Sequence, residues 1–542
     1  MKIYKSHSLN IYYCCCYFFL FLIIIACSDN DGEEFVPNPP AITQAILNAG
    51  FEEDNSEVNT PKGWTVTGDN AAVSVVKGGC EGSYALFYSY TSAYTVSTWQ
   101  TISDLEDGNY DLEFYYKNSG GQSACYISAG STNESQKMTS LQVAPHVWVK
   151  SIVRGIHVQG GKCTISIFSE GQEGDWSRFD ALRLNKVEKD YNLLKGGDLS
   201  ELSYLEQMGG KFYENGEEKD VFDILKNNGF NIARLRLYND PGNPNYSPSN
   251  RLPAGVQNPA DILNLSKRAK AAGMQIMLTI HYSDYWSNGE IQYKPHEWED
   301  LSYEALKKAV YDFTFDFITK MKAQGSVPEY VALGNETGSG LLFPDGAYHT
   351  SPTQMAELFN QGYDAVKAVS PESTVLIHLN DAGNRSTYDW YFGELNKYGA
   401  KYDMIGASYY PFWTQKTAKE LREWADYTSK KFDKEIFIME TGYNWNPTLP
   451  NGYPGQLSDN GPYQNIYPSS PQGQKDFLLE LFNEIKKTEN GCIVGCLYWD
   501  PIMIEVPGVG WELGGTNIVS NTTLFDFSGN ALESLNTFKY NN

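Results

Sequence analysis

Apolar positions along the chain follow two different rhythms. Between residues 46 and 187, Tyr110–Tyr116, Trp148–Val153 and Cys163–Phe168 alternate apolar and polar with period two, and runs of Gly, Asn, Asp and Ser separate them. That pattern predicts short, half-buried strands, and so an all-β sandwich. From residue 191 continuous apolar runs alternate with helical stretches. Strands are expected at Asn192–Gly197, Asn231–Leu237, Gln275–His281, Tyr330–Gly334, Thr374–Leu379, Met404–Ser408, Glu435–Met439 and Ile493–Tyr498. Helices are expected between them, as at Pro259–Ala272, Ser302–Lys322, Thr353–Ala368 and Gln474–Lys487. Eight buried strands separated by helices predict a (β/α)8 TIM barrel over 191–542, with a doubly wound open sheet as the alternative. No G-x-G-x-x-G follows the first strand, so a dinucleotide site has no support.

Residues 1–27 read differently again. Lys2 and Lys5 precede an apolar run from Ile11 to Ala26, too short for a membrane span and of the length of a secretory signal. Ile24-Ile25-Ala26-Cys27 resembles a bacterial lipobox, with Cys27 as the lipidated residue; an uncleaved signal anchor is the alternative. Residues 28–45, acidic and then Pro-rich, read as a tether. The expectation is an exported lipoprotein at the outer membrane or cell surface, touching the membrane through that anchor alone.

Composition narrows the partners. The 542 residues include 42 Lys+Arg and 66 Asp+Glu, a formal net charge of −24. This excludes nucleic acid and anionic lipid as natural partners, since phosphate binding needs clustered cations. Cys80, Cys125, Cys163, Cys492 and Cys496 show no C-x-x-C spacing. Cys492 and Cys496 flank a strand roughly 13 Å long, beyond disulfide reach. Aromatic residues make up 14% of the chain, enough to serve both as core and as stacking platforms for flat neutral ligands.

In a TIM barrel, functional groups stand at the C-terminal ends of the strands. Those ends carry Arg234 and Arg236; His281, Asp284 and Trp286; Asn335 and Glu336; His378 and Asn380; Tyr409 and Trp413; Glu440; and Trp499. Glu336 and Glu440 follow the fourth and seventh strands and would face each other across the mouth. Two carboxyls at about 5–5.5 Å, one protonating the leaving oxygen and one attacking the anomeric carbon, constitute retaining glycoside hydrolysis. Either glutamate alone would read as a cap or surface residue. Arg236, or Arg234 on the same strand face, is expected to hold Glu440 ionised. Tyr409 is expected to hydrogen-bond Glu440, while His281 and Asp284 bind sugar hydroxyls or orient Glu336. Trp286, Trp413 and Trp499 would offer faces to pyranose rings.

Several segments resemble glycoside hydrolase family 53: Gly196-Gly-Asp-Leu-Ser-Glu-Leu, Gly209-Gly-Lys-Phe-Tyr213, Gly229-Phe-Asn-Ile-Ala-Arg-Leu-Arg236, His281-Tyr-Ser-Asp284, Gly334-Asn-Glu336, Ser408-Tyr-Tyr-Pro-Phe-Trp413, Glu440-Thr and Leu524-Phe-Asp-Phe-Ser-Gly-Asn530. The resemblance spans about 192–540. It implies an endo-β-1,4-galactanase acting on type I arabinogalactan, with Glu336 as acid/base, Glu440 as nucleophile, Asn335 on the sugar 2-hydroxyl and no catalytic cofactor. It also implies a monomer. Members that bind calcium do so through an acid-rich loop after strand seven; here that loop offers one acid, Asp459, against the six to eight oxygens calcium takes. Leu47-Asn-Ala-Gly-Phe-Glu52 and Arg178-Phe-Asp-Ala-Leu-Arg-Leu184 resemble the opening and closing strands of jelly-roll carbohydrate-binding modules of the galactose-binding-like type, and attachment to this enzyme type makes the module similar to family 61. That implies a structural calcium at Asn48, Glu52 and Asp180, and ligand contacts at Trp99, Tyr126 and Trp148. The competing readings are another endoglycanase of the same clan (mannanase, xylanase or glucanase) and a non-catalytic glycan-binding lipoprotein.

Overall fold

The structure, a computed structural model, describes residues 46–54, 58–131, 136–189 and 191–539. Cys27, the signal-like segment and the 28–45 tether lie outside the described residues.

Residues 65–187 form two five-stranded antiparallel sheets. One runs Thr65–Gly68, Tyr94–Ile102, Cys163–Gly171, Ala124–Gly130, Lys137–Ser140. The other runs Val73–Lys77, Tyr84–Ser89, Trp176–Val187, Gly108–Asn118, Ala144–Val158. Alternation does what the pattern requires: along Tyr94–Ile102, Tyr94, Val96, Thr98, Gln100 and Ile102 are buried and the residues between them are not. Leu112 and Phe114 of one sheet join Ile127, Ile165 and Ile167 of the other in a single core.

Residues 194–498 supply eight parallel strands: Leu194–Asp198, Ile232–Leu237, Gln275–Ile280, Tyr330–Leu333, Thr374–Leu379, Met404–Ser408, Ile436–Glu440 and Ile493–Tyr498. The first pairs with the eighth, Leu194 opposite Gly495, so the sheet closes and the open doubly wound alternative falls. Helices between strands start where side chains can cap free N–H groups. Ser302 accepts from Ala305 N ahead of Tyr303–Ala323, and Thr417 and Glu420 form a capping box at Ala418–Phe432. One side chain from each strand, namely Leu194, Ile232, Met277, Ala332, Leu376, Met404, Phe437 and Leu497, fills the barrel's interior floor. The five cysteines in the described residues are free thiols.

The sheets dock on the barrel through the helix Pro471–Lys486. Ser151 Oγ lies 2.6 Å from Asn483 Oδ1, and the Lys486 ammonium donates to Thr139 Oγ1 at 2.9 Å. Arg154 pairs with Asp111 at 2.9 Å and donates to the carbonyls of Lys486 and Thr488 that end the helix.

Phe437 is fully buried in the barrel floor, with its ring against Gly495. Phe437→Ala should destabilise the chain by about 3–5 kcal/mol, read as a shift in the denaturant unfolding midpoint at unchanged slope.

Candidate active site

Period-two alternation decides which side chains reach the site. Two residues beyond the floor, the strands present Arg234, Thr279, His378 and Trp499 to the interior; two further, they present Asp198, Arg236, His281, Glu336 and Ser408. The register slips between Ala407 and Ser408, which sets Ser408 opposite Glu440. At the end of strand four, Gly334 (φ 75°) and Glu336 (φ 47°) adopt left-handed backbone, and Tyr282, Asp381 and Asp500 do so beyond strands three, five and eight. Such conformations in non-glycine residues cost energy and concentrate where side chains must be aimed.

Arg234 organises the floor of the cleft. Fully buried, it donates through Nη1 to Glu440 Oε1 at 2.7 Å, through Nη2 to Asn335 Oδ1 at 2.7 Å and through Nε to Thr279 Oγ1 at 3.1 Å. Asp198 stands 3.5 Å from Nε. Burial opposes its charge, but Glu440 and Asp198 outweigh that and hold it cationic. The second oxygen of Glu440 accepts from Tyr410 Oη at 3.0 Å. Asn335 Nδ2 donates to Ser287 O at 2.8 Å. His378 spans the gap to the other carboxyl: Nδ1 lies 3.1 Å from Asn335 Oδ1 and Nε2 lies 2.8 Å from Ser408 Oγ, which lies 2.7 Å from Glu336 Oε1. Oxygens of Glu336 and Glu440 approach within 4.8 Å.

The two carboxyls are electrostatically unequal. Burial, and then the neighbouring Glu440 charge, push Glu336 up to about 8, against a smaller opposing effect of Arg234. Glu440, by contrast, sits on the arginine. Burial, reinforced by Arg234, pushes His281 and His378 well below their ordinary range, so both rings are neutral. His281 Nδ1 accepts from Ser287 N and faces Ser287 Oγ at 2.8 Å, which leaves the hydrogen on Nε2, an atom without a partner among the described residues.

Around the carboxyls opens a cavity of about 630 Å³, lined by Trp286, Trp413, Trp499 and Trp511 together with Asn288, Asn380, Asp381, Tyr410 and Gln456. Trp499 lies over both arginines, its centroid 5.4 Å from Arg234 Cζ and 4.6 Å from Arg236 Cζ. Trp286 and Trp511 are parallel, with centroids 6.1 Å apart. Trp413 is 57% exposed at the rim.

Several expected placements differ. Arg236 does not reach Glu440; it is enclosed by Asp198 (3.2 Å), Glu201 (3.3 Å) and Asp500 (3.1 Å), one layer above Arg234. Tyr409 points away from the cleft and donates to Lys416 O, because Ser408 and Tyr410 share the inward parity. His378 has both ring nitrogens on protein partners and is wholly buried, so it does not bind substrate. Asp284 accepts from Asp240 N and His296 N and borders a separate cavity.

In the sheet module, Trp99 and Tyr126 share the outer face of one sheet with Phe168, which stacks on Tyr126 at 4.7 Å; Trp148 belongs to the other sheet. The residues expected to hold a cation there accept hydrogen bonds from backbone amides. Glu52 Oε1 accepts from Ser83 N and Tyr84 N, Asp180 accepts from Cys80 N, Glu81 N and Ala181 N, and Asn48 Oδ1 accepts from Glu53 N.

Ser408, Tyr410 and Trp511 are cleft residues that strand-end reading passes over. Parity along strand six picks out Ser408 and Tyr410 once the inward phase is known, whereas Trp511 lies in an irregular segment with no periodic signal.

A closed eight-stranded parallel barrel with two facing glutamates in a tryptophan-lined cleft defines a glycoside hydrolase. The chain belongs to glycosyl hydrolase family 53, whose model matches residues 194–538. It is 31% identical over 397 residues to an endo-beta-1,4-galactanase of Bacillus subtilis, covering 67% of this chain and 89% of that protein. It is also 31% identical to an arabinogalactan endo-beta-1,4-galactanase of Thermothelomyces thermophilus, covering 62% and 96%. Among solved structures, the GH53 catalytic domain of Ignisphaera aggregans superposes with a TM-score of 0.60 at 34% identity, covering 64% of this chain and 96% of that one.

Because Tyr410 Oη bonds the Glu440 carboxylate, Tyr410→Phe should lower kcat by about 10- to 100-fold. Tyr409→Phe, which loses a bond to Lys416 O on the far side, should leave kcat within about threefold in the same steady-state assay.

Proposed function

We propose that this chain is an endo-acting, retaining β-1,4-galactanase that cleaves the galactan of type I arabinogalactan by double displacement. The observation that carries the mechanism is the approach of two glutamates to within 4.8 Å in opposite environments. A gap that short leaves no room for the water an inverting enzyme places between its carboxyls. Glu336, pushed up to about 8 by burial and by Glu440, keeps its proton at neutral pH and protonates the leaving glycosidic oxygen. Glu440, held by Arg234 and Tyr410, attacks the anomeric carbon to form the glycosyl-enzyme. Glu336, then a carboxylate, takes a proton from the water that releases the sugar.

Galactose β-1,4 linkage as substrate is supported by the galactanase relatives, and a neutral polymer suits the lining. Among the described residues the cavity wall presents tryptophans, amides, hydroxyls and the carboxyls of Glu336, Glu440 and Asp381, and no Lys or Arg. The unpartnered Nε2–H of His281 and indole N–H of Trp499 are donors available to sugar hydroxyls. On the same proposal, the outer sheet face carrying Trp99, Phe168 and Tyr126 holds the polymer near the barrel, and Cys27 tethers the exported enzyme to the membrane.

Linear β-1,4-galactan should yield oligosaccharides of retained anomeric configuration, with xylan and mannan untouched; activity on those instead would identify another endoglycanase. Glu336→Ala and Glu440→Ala should each lower kcat/KM by about a thousandfold or more. Because the protonated form of Glu336 is the active one, kcat/KM should fall as pH rises through about 8. A profile flat to pH 10 would remove Glu336 from the acid role.

A further inference from the structure

The two carboxyls are joined by an unbroken chain of polar atoms: Glu440, Arg234, Asn335, His378, Ser408, Glu336. The direction of each hydrogen bond in it follows from valence. Arg234 has only donors, so the Asn335 atom facing it is the carbonyl Oδ1; Asn335 Nδ2 is confirmed as the amide nitrogen by its acceptor, Ser287 O. A carbonyl oxygen only accepts, so His378 Nδ1, 3.1 Å away, carries a hydrogen. A neutral imidazole has one hydrogen, and His378 Nε2 is therefore an acceptor. Its partner at 2.8 Å is Ser408 Oγ, whose single hydrogen is thereby directed to the histidine. The remaining contact, 2.7 Å between Ser408 Oγ and Glu336 Oε1, is satisfied when Glu336 is the donor, that is, when it is protonated.

We infer that Ser408 and His378 are positioning residues that hold the proton on Glu336: they orient Ser408 as an acceptor, so that the carboxylic acid is satisfied and the carboxylate is not. The inference deepens the galactanase reading and rests on Glu336 as its acid. Loss of the proton to the leaving oxygen leaves one hydrogen on Ser408 for two acceptors, His378 Nε2 and the Glu336 carboxylate. The chain is complete again when Glu336 takes a proton from the incoming water, so the device keeps the acid loaded before the first half-reaction and strengthens the carboxylate as a base in the second. The alternative arrangement moves the Glu336 proton through Ser408 onto His378, making an imidazolium beside a carboxylate. Arg234 disfavours that cation, as does burial of the ring. The other ionisable groups facing the pair are Glu440 on strand seven, neutral His281 beyond strand three, Tyr410 after strand six, Tyr388 on the helix Arg385–Lys397, and Asp381 at the cleft wall. Glu440 favours the proton on Glu336.

Ser408→Ala distinguishes this from an ordinary serine–carboxylate bond by the sign of one shift. A serine that donates to the carboxylate lowers the Glu336 pKa, and removing it would move the alkaline limb of kcat/KM upward. An acceptor serine raises that pKa, and removing it should move the limb downward by about one pH unit. Ser408→Thr, which keeps the hydroxyl, should retain the wild-type limb. An upward or absent shift in Ser408→Ala overturns the proposal. A second measurement needs no turnover: in enzyme labelled with 15N-histidine, which has seven histidines, the His378 resonance should report a neutral ring protonated on Nδ1. A ring protonated on Nε2, or on both nitrogens at pH 7, overturns it. Absence of galactan cleavage would refute the galactanase reading while this resonance still decides the hydrogen-bond direction.

Discussion

The catalytic end of the barrel depends on burying the Arg234 guanidinium. An isolated cation removed from water is prohibitively costly, so its surroundings must supply both charge and hydrogen-bond acceptors. Glu440, Asn335 and Thr279 provide the acceptors, and Asp198 adds a second negative charge at 3.5 Å. This single requirement couples strands one, two, three, four and seven. It also fixes the Glu440 carboxylate in place, orients the Asn335 amide and, through that amide, sets the tautomer of His378. A guanidinium suits the task because its planar fork reaches two partners at once, in fixed directions, from one position.

Above that layer the same logic recurs with a different outcome. Arg236 meets three carboxylates, Asp198, Glu201 and Asp500, in a site closed over by Trp499 and Trp511. Burial pushes Glu201 and Asp500 up, against the opposing pull of the Arg236 charge. It supports the aromatic wall from behind, with Asp500 accepting from the Trp511 indole at 2.7 Å. The cleft surface that results is aromatic and amide- and hydroxyl-bearing, and the only charged groups in its wall among the described residues are carboxyls, which suits a neutral polymer and not a polyanionic one.

Much of this is legible before any coordinates. Eight apolar runs at barrel spacing, a glutamate after the fourth and seventh, and tryptophans at strand ends are local features, and local features survive folding. The errors share one cause. Choosing Tyr410 rather than Tyr409, and deciding between Arg234 and Arg236, requires the inward phase of each strand and the height of each residue above the floor. Both depend on the register between neighbouring strands, including the slip at Ser408. Asp284 sits at a strand end as expected, but its oxygens go to loop amides from Asp240 and His296 that only the closed fold brings near.

The sequence by itself determined the fold class, the two carboxyls and the aromatic character of the cleft, because period, spacing and residue type carry that information along the chain. Which partner each polar group meets was decided by tertiary structure alone. The direction of the hydrogen bonds from Arg234 to Glu336, the burial that raises Glu336 and the arrival of Trp511 in the cleft all depend on groups far apart in sequence. In a buried site a polar atom's state is set by the acceptors, donors and charges within a few ångströms, and barrel closure chooses those neighbours.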